Sequence, residues 1–458
     1  MDIPSLLIVQ KNFFKTHQTK DVSYRKILLK QLKQEIVARE DDIYDALYKD
    51  FKKSEFETYL TEFGLVISTI NLAIENIHRW TKPKQVLPSL LNFPSRNSIY
   101  SEPYGCVLII APWNYPFLLV MEPLIMALAA GNTVVVKPSE LTKHTSLLVS
   151  EIIKKVFIES HIASVQGGIP VATELLAQKW DYVFFTGSVA VGKIVAIAAA
   201  KHLTPVTLEL GGKSPCIIDD SINLKLTARR LVWGKFLNAG QTCISPDFLI
   251  VKSTIKQKLI EALKFEIVKS YGEDSSKSPD FPRIINEHNL DRLIHLIKDS
   301  KIIFGGTANK KGNYLSPTLI DEPNLDSELM KHEIFGPVLP ILSFKTLDDI
   351  DNIINTIEKP LSLYVFSNKK AFVTRVLNTY SFGSGVINDT LIQFGNHRLP
   401  FGGVGESGIG FYHGKHSFDT FSHKKPIVKK GNWLDFTIRY APYKNKLKLI
   451  KTFFKWFS

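Results

Sequence analysis

The sequence has few cysteines and no long uninterrupted apolar run. Its 458 residues include three cysteines, Cys106, Cys216 and Cys243, an odd number that cannot form the disulfide framework of a small secreted scaffold. The early apolar run 6–9 is too short for a signal-peptide core. Three prolines, an asparagine and a glutamate interrupt the apolar stretch 106–130, so we predict no transmembrane helix. The expected location is a reducing, cytoplasmic compartment.

Disorder, internal repeats and low-complexity tracts are also missing. Hydrophobic residues make up 45% of the chain and charged residues 22%, which is typical of soluble globular proteins, and the length predicts about two to four domains. The net charge of +13 raises nucleic acid or an anionic membrane as partners. However, residues 424–458 hold ten basic residues against one acidic residue, Asp435, so the body of the chain is nearly neutral.

Residue patterns divide the chain into a helical beginning and two α/β regions. Apolar residues at helical spacing predict a layer of helices over 1–82. Four prolines in 83–103 indicate irregular chain and an exposed strand. After residue 104, short apolar runs alternate with helical stretches, which predicts βαβ units on parallel sheets, with a second region from about 211. The predicted strands are 106–110, 133–136, 164–166, 182–185, 215–218 and 248–251, and the predicted helices include 224–237 and 255–271.

A cysteine in a small, polar, turn-prone segment is the sharpest local feature. Residues 238–246 read Asn-Ala-Gly-Gln-Thr-Cys-Ile-Ser-Pro, and a thiol in such a segment, that of Cys243, can be reached by a reactant. Cys106 and Cys216 lie in strand-like runs and are expected to be buried and inert. Alone, Cys243 is equally an ordinary free cysteine, because a thiol with a pKa of about 8.5 is only slightly ionised at neutral pH.

Two polar side chains lie at the ends of predicted strands. Glu209 ends an apolar run and precedes two glycines that let the backbone pass close to another group. A solvated or helix-capping glutamate is the ordinary alternative. Asn114 lies in Ala-Pro-Trp-Asn-Tyr-Pro, residues 111–116, just after strand 106–110, and a turn asparagine is the ordinary alternative there.

A glycine turn between a strand and a helix occupies residues 185–193, Phe-Thr-Gly-Ser-Val-Ala-Val-Gly-Lys. It can present backbone N–H groups and a helix dipole to a pyrophosphate. Because it lacks the complete G-x-G-x-x-G pattern, a tight turn explains it as well as a cofactor site does.

Together and in this order, these four segments resemble the NAD(P)-dependent aldehyde dehydrogenases. The resemblance spans nearly the whole chain, and its further markers are residues 129–140, 333–337 and 399–408. The Gln-Thr-Cys context of Cys243 and the ending 438–443 resemble the class 3 branch, which includes fatty aldehyde dehydrogenases. The implied fold is α/β, with a Rossmann-like parallel-sheet cofactor domain, an α/β catalytic domain and a small β arm for oligomerisation.

The resemblance also implies domain boundaries. They are 1–83 and 104–209 for the cofactor domain, 210–417 for the catalytic domain, 84–103 and 418–433 for the arm, and 434–458 for a basic tail. Exposed strands such as those of the arm need a partner, so a homodimer is expected.

For the chemistry, the resemblance implies that Cys243 adds to an aldehyde carbonyl and forms a thiohemiacetal and then a thioester. The Asn114 amide and the Cys243 N–H would stabilise the oxyanion, and Glu209 would be the general base for thioester hydrolysis. The substrate would be a medium- or long-chain aliphatic aldehyde, or an aromatic one, and the product a carboxylic acid. The alternatives are a membrane-surface or scaffolding protein without turnover and an acyl-transferring or purely hydrolytic cysteine enzyme. No metal is implied.

The implied cofactor is NAD, with NADP also accepted. The implied cofactor-binding residues are Trp113, Lys137, Glu140, Gly187, Ser188, Gly192, Glu333 and Phe335. Of these, Lys137 and Glu140 would contact the adenosine ribose, Ser188 the pyrophosphate, and Glu333 and Phe335 the nicotinamide half. A carboxylate near the ribose 2′-hydroxyl favours NAD, because a 2′-phosphate would face like charge.

Two positions depart from the family pattern. Val189 stands where relatives often have Thr, which removes one polar contact near the phosphates. Glu406 stands where many class 3 relatives have Asn, which is expected to add a negative charge on the substrate side. Both leave the substrate preference open.

The last residues form a basic amphipathic helix. At about 100° per residue, one half of the helical wheel is apolar and the other carries lysines. The apolar half is Leu447, Leu449, Ile450, Phe453, Phe454, Trp456 and Phe457, and the basic half is Lys448, Lys451 and Lys455. Such a helix suits the anionic inner face of a membrane, and packing on the protein itself or on a partner subunit is the alternative. No nucleic-acid-binding motif accompanies the charge, so nucleic acid is not an expected partner.

Overall fold

The computed structural model describes residues 2–457 and begins with a layer of helices. They are α1 (Ile3–Lys15), α2 (Val22–Ala38), α3 (Glu40–Phe51), α4 (Glu55–Thr58) and α5 (Gly64–Trp80). A π-helical turn, Tyr59–Phe63, joins α4 to α5. Within the described residues, the resulting rod Glu55–Trp80 is the one stretch long and apolar enough to span a membrane, and 44% of its apolar window is buried inside the protein. Its buried residues, such as Val66 and Ile70, belong to the largest core cluster.

Two exposed strands come next, followed by alternating strands and helices. The elements are β1 (Lys84–Val86), β2 (Ser95–Pro103), β3 (Cys106–Ile110), α6 (Leu118–Ala130), β4 (Thr133–Lys137), α7 (Lys143–Val156), β5 (Ile162–Ser164), α8 (Ile169–Leu176), β6 (Tyr182–Thr186), α9 (Val189–Ala200) and β7 (Val206–Glu209). Helix α6 is buried on every face, because nearly all of its residues are apolar. Gly131 ends it at φ 101°, where a Cβ would come within 2.9 Å of the Thr19 carbonyl oxygen.

The remaining elements form a second α/β unit and the C-terminus. They are β8 (Pro215–Ile218), α10 (Leu224–Phe236), β9 (Phe248–Lys252), α11 (Lys256–Tyr271), α12 (Glu287–Ile297), β10 (Ile302–Phe304), β11 (Ala308–Asn309), β12 (Tyr314–Leu315), β13 (Thr318–Asp321), α13 (Glu328–Lys331), β14 (Val338–Phe344), α14 (Leu347–Ile354), β15 (Ser362–Phe366), α15 (Lys370–Thr379), β16 (Ser384–Ile387), β17 (Gly408–Ile409), α16 (Lys415–Thr420), β18 (Ser422–Lys430) and α17 (Leu447–Phe457).

Two large sheets carry the α/β units. The first has the order β17-β7-β6-β3-β4-β5 and is parallel except for β17. The second has the order β10-β13-β14-β9-β8-β15-β16 and is parallel except for β10. Thr186 pairs with Glu209 at the carboxyl ends of β6 and β7, the edge where open parallel sheets bind their ligands.

The small arm is a three-stranded antiparallel sheet in the order β1-β2-β18. Strands β2 and β18 pair along their whole length, from Pro103 with Ser422 to Ser95 with Lys430. The domain boundaries and the pairing of this arm across a dimer stay predictions.

Two details of the predicted strands are wrong. The arm strand does not extend back to residue 418, because α16 occupies those residues and the Phe418 ring is buried 5.4 Å from the Trp80 ring. The strand predicted at 164–166 ends at Ser164, and the Gln166 side chain instead donates a hydrogen bond to the Ser146 carbonyl (2.9 Å).

The tail helix α17 does not bury its apolar side in this chain. Leu447 is 64% exposed, Leu449 62% and Phe454 48%, and no described side chain of this helix is buried. Ile450 and Phe453 are half-buried, so contact with a membrane and packing on the chain's own body or on a partner subunit all stay predictions. The predicted side chains of Trp456 and Phe457 lie outside the described residues, as do the terminal residues Met1 and Ser458 of the predicted domains.

Candidate active site

The cysteine segment is a sharp, buried loop that follows α10. Asn238 and Ala239 are fully buried and both have φ 52°, a left-handed conformation that turns the chain. The Gln241 side chain holds the loop: its Nε2 donates to the Arg283 carbonyl (3.0 Å), and its Oε1 accepts from the Ile285 N–H (3.0 Å). Bonds from two directions thus fix the backbone just before the cysteine.

Cys243 is the thiol that faces open space. It is partly exposed, whereas Cys106 and Cys216 are fully buried, as the sequence predicts. Two cavities meet at Cys243, and Glu209 lines both of them. The sulfur is therefore accessible from two sides.

The first cavity, called here the apolar cavity, has a volume of about 340 Å³. Among the described residues that line it, Glu209 alone is of a charged type. Its apolar lining includes Leu60, Leu65, Leu119, Trp233, Ile392, Phe394, Phe401 and Tyr412. These residues come from the rod Glu55–Trp80, from α6 and α10 and from the loops after β16, so the cavity forms only when both α/β units are in place.

The second cavity, called here the polar cleft, has a volume of about 270 Å³. It lies at the carboxyl ends of β3, β6 and β7. Its lining residues include Trp113, Asn114, Gly187, Ser188, Glu209, Asn289, Arg292, Glu333 and Phe335. Ser188 caps α9 by accepting a hydrogen bond from the Val191 N–H, so this helix begins at the cleft. Such a helix start suits an anionic phosphate.

The Cys243 thiol is uncharged at neutral pH in the free protein. Burial, and then the charges of Glu333 and Glu209, raise the pKa of Cys243 to about 12. The N–H groups of Cys243 and Ile244 act in the opposite direction but do not offset this. A base must therefore take the thiol proton when the sulfur attacks.

Glu209 is a buried carboxyl group without a hydrogen-bond partner. It is 2% exposed, and among the described residues neither of its oxygens has a partner. Burial, and then the charge of Glu122, raise the pKa of Glu209 well above its ordinary value. Buried polar groups are normally satisfied, and an orphaned carboxyl with a raised pKa in a cavity wall is typical of a catalytic acid or base.

Asn114 is joined directly to the cysteine loop. Its side-chain Nδ2 donates to the backbone carbonyl of Gln241 (3.1 Å), and its backbone carbonyl oxygen accepts from the Asn238 Nδ2 (2.8 Å). The side chain is 97% buried and lines the polar cleft, because Asn114 is only 3% exposed. An amide nitrogen carries two hydrogens, so one of them is free to donate to a ligand in the cleft.

A buried charged cluster, which the sequence analysis missed, supports both loops. Lys53 and Glu62 are fully buried and form an ion pair (2.7 Å). Glu62 also accepts from two N–H groups at the start of α6 (2.9 and 3.2 Å), and Glu57 accepts from the Asn238 N–H (2.8 Å). Burial raises the pKa of Glu57 to about 7, against the effect of Lys53. The available signal was a glutamate inside the apolar stretch Glu55–Trp80, since buried charges require partners.

The segment that carries Glu333 is fixed through its backbone. Arg292 donates to the carbonyls of Glu333 (3.3 Å) and Ile334 (2.6 Å). Asp247 accepts from the Ile334 N–H (3.0 Å) and is itself ion-paired with Lys213. The Glu333 side chain is thereby held at the polar cleft.

Glu333 approaches a glycine backbone very closely. A Cβ on Gly211 would lie 2.1 Å from the Glu333 carboxylate, so a larger residue at this position would displace that side chain from its present place. Burial, and then the charge of Asp247, raise the pKa of Glu333 to about 8.

A third cavity of about 410 Å³ lies beside β4 and β5. Its lining is Pro138, Ser139, Glu140, Lys143, Ser146, Leu147, Gln166 and Gly167. Glu140 is ion-paired with Lys137 (2.5 Å). This cavity and the polar cleft both lie at the carboxyl ends of the first sheet, the arrangement that a dinucleotide requires.

The comparisons with known proteins decide the family. The model of the aldehyde dehydrogenase family matches residues 8–427. This chain belongs to the aldehyde dehydrogenase family. It is 48% identical to the 4,4'-diaponeurosporen-aldehyde dehydrogenase of Staphylococcus aureus (strain NCTC 8325 / PS 47) over 97% of each chain. It is 44% identical to aldehyde dehydrogenase family 3 member A2 of Mus musculus, over 91% of this chain and 86% of the mouse protein.

Solved structures agree with this assignment. A substrate-bound Staphylococcus aureus AldH structure superposes with a TM-score of 0.97 at 47% identity, covering 99% of this chain and all of that one. An NAD-dependent aldehyde dehydrogenase from Sinorhizobium meliloti superposes with a TM-score of 0.82 at 28% identity, covering 93% of this chain and 84% of that one. The resemblance and the α/β fold expected from the sequence are confirmed. The protein is an oxidoreductase that converts aldehydes to carboxylic acids with NAD(P).

Most of the predicted cofactor residues of this aldehyde dehydrogenase line the polar cleft or the third cavity. Trp113, Gly187, Ser188, Glu333 and Phe335 line the polar cleft, and Glu140 lines the third cavity. The Trp113 and Phe335 rings meet edge to face at 5.3 Å. These residues fit a dinucleotide, because the polar cleft holds the aromatic rings of Trp113 and Phe335 and also the start of α9 at Ser188.

Two predicted cofactor residues do not line these cavities. Gly192 is buried, and a Cβ there would lie 2.6 Å from the Leu210 Cδ2, so this glycine permits helix-to-strand packing instead. Lys137 is 4% exposed and reaches the third cavity only through its ion pair with Glu140.

The expected negative charge of Glu406 on the substrate side stays a prediction. Its carboxylate pairs with Lys193 of α9 (2.7 Å) and does not line the apolar cavity. Val189 is the first residue of α9.

Proposed function

We propose that this aldehyde dehydrogenase oxidises medium- and long-chain apolar aldehydes, with Cys243 as nucleophile, Glu209 as general base and Asn114 as oxyanion donor. One observation carries the proposal: Cys243 and Glu209 lie where the apolar cavity meets the polar cleft. A substrate in the one and a cofactor in the other would meet at the sulfur.

The apolar cavity supports the choice of substrate. A hydrocarbon chain that enters this cavity loses its contact with water and meets an apolar wall. Among the described residues, Glu209 near the sulfur is the one charged wall group left unpaired. Each buried methylene contributes about 0.8 kcal/mol to binding. Leu60 and Ile392 line the cavity and are 43% and 53% exposed, so the cavity opens to the surface there and a longer chain can extend outward.

In the first half of the reaction, the thiol gives up its proton and the sulfur bonds to the aldehyde carbon. The pKa of about 12 makes this proton transfer part of the step, and Glu209 on the cavity wall is the acceptor. The free N–H of Asn114 and the backbone N–H of Cys243 would stabilise the oxyanion of the adduct, each donor by about 3–4 kcal/mol.

Bound NAD(P) supplies the hydride acceptor in this reaction. Ser188 and the start of α9 would hold its phosphates, and Glu333 and Phe335 its nicotinamide half. Glu140 in the third cavity favours NAD, and its pairing with Lys137 reduces the repulsion of a 2′-phosphate, so NADP is accepted too. In the second half, Glu209 takes a proton from the water that hydrolyses the Cys243 thioester.

The test is the rate of NAD(P)H formation across aldehydes of increasing chain length, with wild type and Cys243→Ala. We expect kcat/KM to rise with chain length in wild type and no turnover in the variant. An equal response to all lengths would contradict the substrate class, and turnover by Cys243→Ala would contradict the mechanism.

We also propose a homodimer that rests on an anionic membrane surface through α17. The support is the exposed apolar side of α17 and the basic residues around it. A chain that ends after Tyr443 keeps β18 and lacks α17. In flotation with anionic vesicles we expect only the full chain to float, and size-exclusion chromatography with light scattering to give a dimer mass for both. Equal flotation would contradict the membrane role, and a monomer mass the dimer.

A further inference from the structure

A chain of hydrogen-bonded and stacked polar side chains, separate from the buried charged cluster described above, leads from the site towards the surface. It begins at Glu122, a fully buried residue inside the apolar helix α6. The Glu122 Oε1 and the His413 Nδ1 are hydrogen-bonded at 2.7 Å, and both residues are at most 2% exposed. Among the described residues, the second oxygen, Oε2, has no partner. A charged group placed inside an otherwise apolar helix destabilises the fold unless it is compensated, so it calls for a function.

On its outer side, the chain continues to solvent. The His413 ring stacks on the His397 ring with centroids 4.8 Å apart, and the His397 Nε2 is hydrogen-bonded to the exposed Ser68 Oγ (2.9 Å). The two remaining ring nitrogens, the His413 Nε2 and the His397 Nδ1, have no partner in the part of the chain described. A single water can bridge such nitrogens.

On its inner side, the chain adjoins the apolar cavity that Glu209 lines. Leu118 and Leu119, one helical turn before Glu122 in α6, line this cavity, and the His413 ring lies 4.6 Å from the ring of Phe394, which lines it too. The charge of Glu122 acts directly on Glu209, second only to burial in raising the pKa of that carboxyl. The charges of Glu122, Glu209 and Cys243 all act on Tyr412, whose ring lines the apolar cavity. Glu122 therefore lies next to the wall that holds the nucleophile and the base.

The reaction needs such a connection. Conversion of an aldehyde and water to a carboxylate transfers one hydride and releases two protons, while the thiol is regenerated. Among the described residues Glu209 has no hydrogen-bond partner, and during turnover substrate occupies the apolar cavity and cofactor the polar cleft. A route through neighbouring polar side chains would let its protons leave while both cavities are filled.

We propose that Glu122, His413 and His397 form a proton path between Glu209 and solvent at Ser68. A proton that Glu209 takes from water passes to the Glu122 carboxylate, then through the His413 and His397 rings to solvent, with waters bridging the gaps. Only O–H and N–H bonds form and break, and no electrons are transferred. The path rests on the proposed role of Glu209.

The histidines are suited to this role. Burial lowers the pKa of His413, but the charge and the hydrogen bond of Glu122 raise it above its ordinary value overall. Burial and then the charge of His413 lower the pKa of His397. A proton therefore binds strongly at the inner ring and leaves readily from the outer one.

The test follows the acyl-enzyme directly. Cys243 is acylated with p-nitrophenyl acetate, with and without NAD, and intact-protein mass spectrometry follows the loss of the acetyl group. With NAD present, we expect Glu122→Gln to leave the nitrophenolate burst within about twofold and to slow acyl-enzyme hydrolysis by about tenfold or more, with added imidazole restoring the rate. His397→Asn, at the half-exposed end, gives the same pattern if Glu122→Gln fails to fold.

The matched control is Glu266→Gln, a 3% exposed carboxylate paired with Arg229 and Lys269 outside the site. We expect it to change neither rate. Unchanged hydrolysis in Glu122→Gln and His397→Asn, together with slow hydrolysis in Glu209→Gln, overturns the path and leaves the role of Glu209 intact. Slow hydrolysis that imidazole does not restore also overturns the path, since a merely structural defect gives that result. Fast hydrolysis in Glu209→Gln overturns the proposed function itself.

Discussion

The two sides of Cys243 are built in opposite ways. On one side, the apolar cavity is a wall of leucine, isoleucine and aromatic side chains with one carboxyl group. On the other, the polar cleft is lined by groups such as Asn114 and Glu333, whose loops are fixed by buried hydrogen bonds and ion pairs. The first surface recognises by shape and loss of water contact, and the second by bonds in fixed directions.

This difference predicts unequal tolerance of change. Apolar contacts are non-directional, so a replaced wall residue changes which substrate fits by about 1–3 kcal/mol. A lost donor in the cleft leaves charge in the reacting adduct without its partner, which costs more. Substitutions of matched size on the two sides of the sulfur test the comparison.

The largest effect is expected at Cys243, where the apolar cavity and the polar cleft meet. Cys243→Ala removes the atom that joins the two sides, and we expect aldehyde oxidation to fall at least about ten-thousandfold, measured as NADH formation. Cys216→Ala removes a fully buried thiol in β8 and serves as the control, with activity kept. Comparable activity in the two variants would contradict the assignment.

On the polar side, Asn114→Ala removes an oxyanion donor. We expect kcat to fall by about a hundred- to a thousandfold while the KM for long aldehydes changes little, because the apolar cavity is untouched. Steady-state kinetics measure both constants, and Asn355→Ala at the exposed end of α14 is the control. A rise in KM with unchanged kcat would show that Asn114 binds substrate instead.

The raised pKa of Cys243 predicts how the reactivity of this thiol depends on pH. Because this pKa is raised from about 9 to about 12, the thiolate fraction is small at neutral pH and grows about tenfold per pH unit. Alkylation of Cys243 by iodoacetamide in the free protein should therefore accelerate from pH 7 to pH 9 without a plateau. Because the pKa of Glu333 is about 8, its carboxyl group is charged mainly above that pH, so Glu333→Gln should accelerate alkylation most at pH 9 and little at pH 7. A plateau below pH 8 would contradict the raised pKa of Cys243.

The smallest effect is expected at the outer end of the apolar cavity. Leu60→Glu adds a charge to a partly exposed wall residue, so we expect the KM for long aldehydes to rise by about tenfold and that for short ones to stay constant. Leu203→Glu, at a residue 92% exposed and outside the cavity, is the matched control. Equal changes for short and long aldehydes would show that the chain does not lie along this wall.

The sequence allows prediction of the parts of the site that lie in continuous segments. The cysteine loop, Asn114 after β3 and Glu209 at the end of β7 each lie within a few residues of a recognisable strand or turn. Their convergence follows from the order of parallel strands.

The supporting contacts could not be predicted, because they join distant segments. Glu57 and Asn238 are 181 residues apart, and Lys193 and Glu406 are 213 apart. Nothing near either glutamate in the sequence identifies its partner. For the same reason, the sequence does not reveal that Gly192 lies against the Leu210 side chain.

The arm has a consequence for how the protein is made. Strand β2 pairs with β18 over nine residues, yet β18 ends at Lys430 in a chain of 458 residues. On a ribosome, β2 is made long before β18, because β2 ends at Pro103 and β18 begins at Ser422, so one edge of β2 stays unpaired until β18 emerges. An unpaired edge attracts other strands, so the nascent chain depends on chaperones or on the speed of translation to protect β2 until its partner arrives.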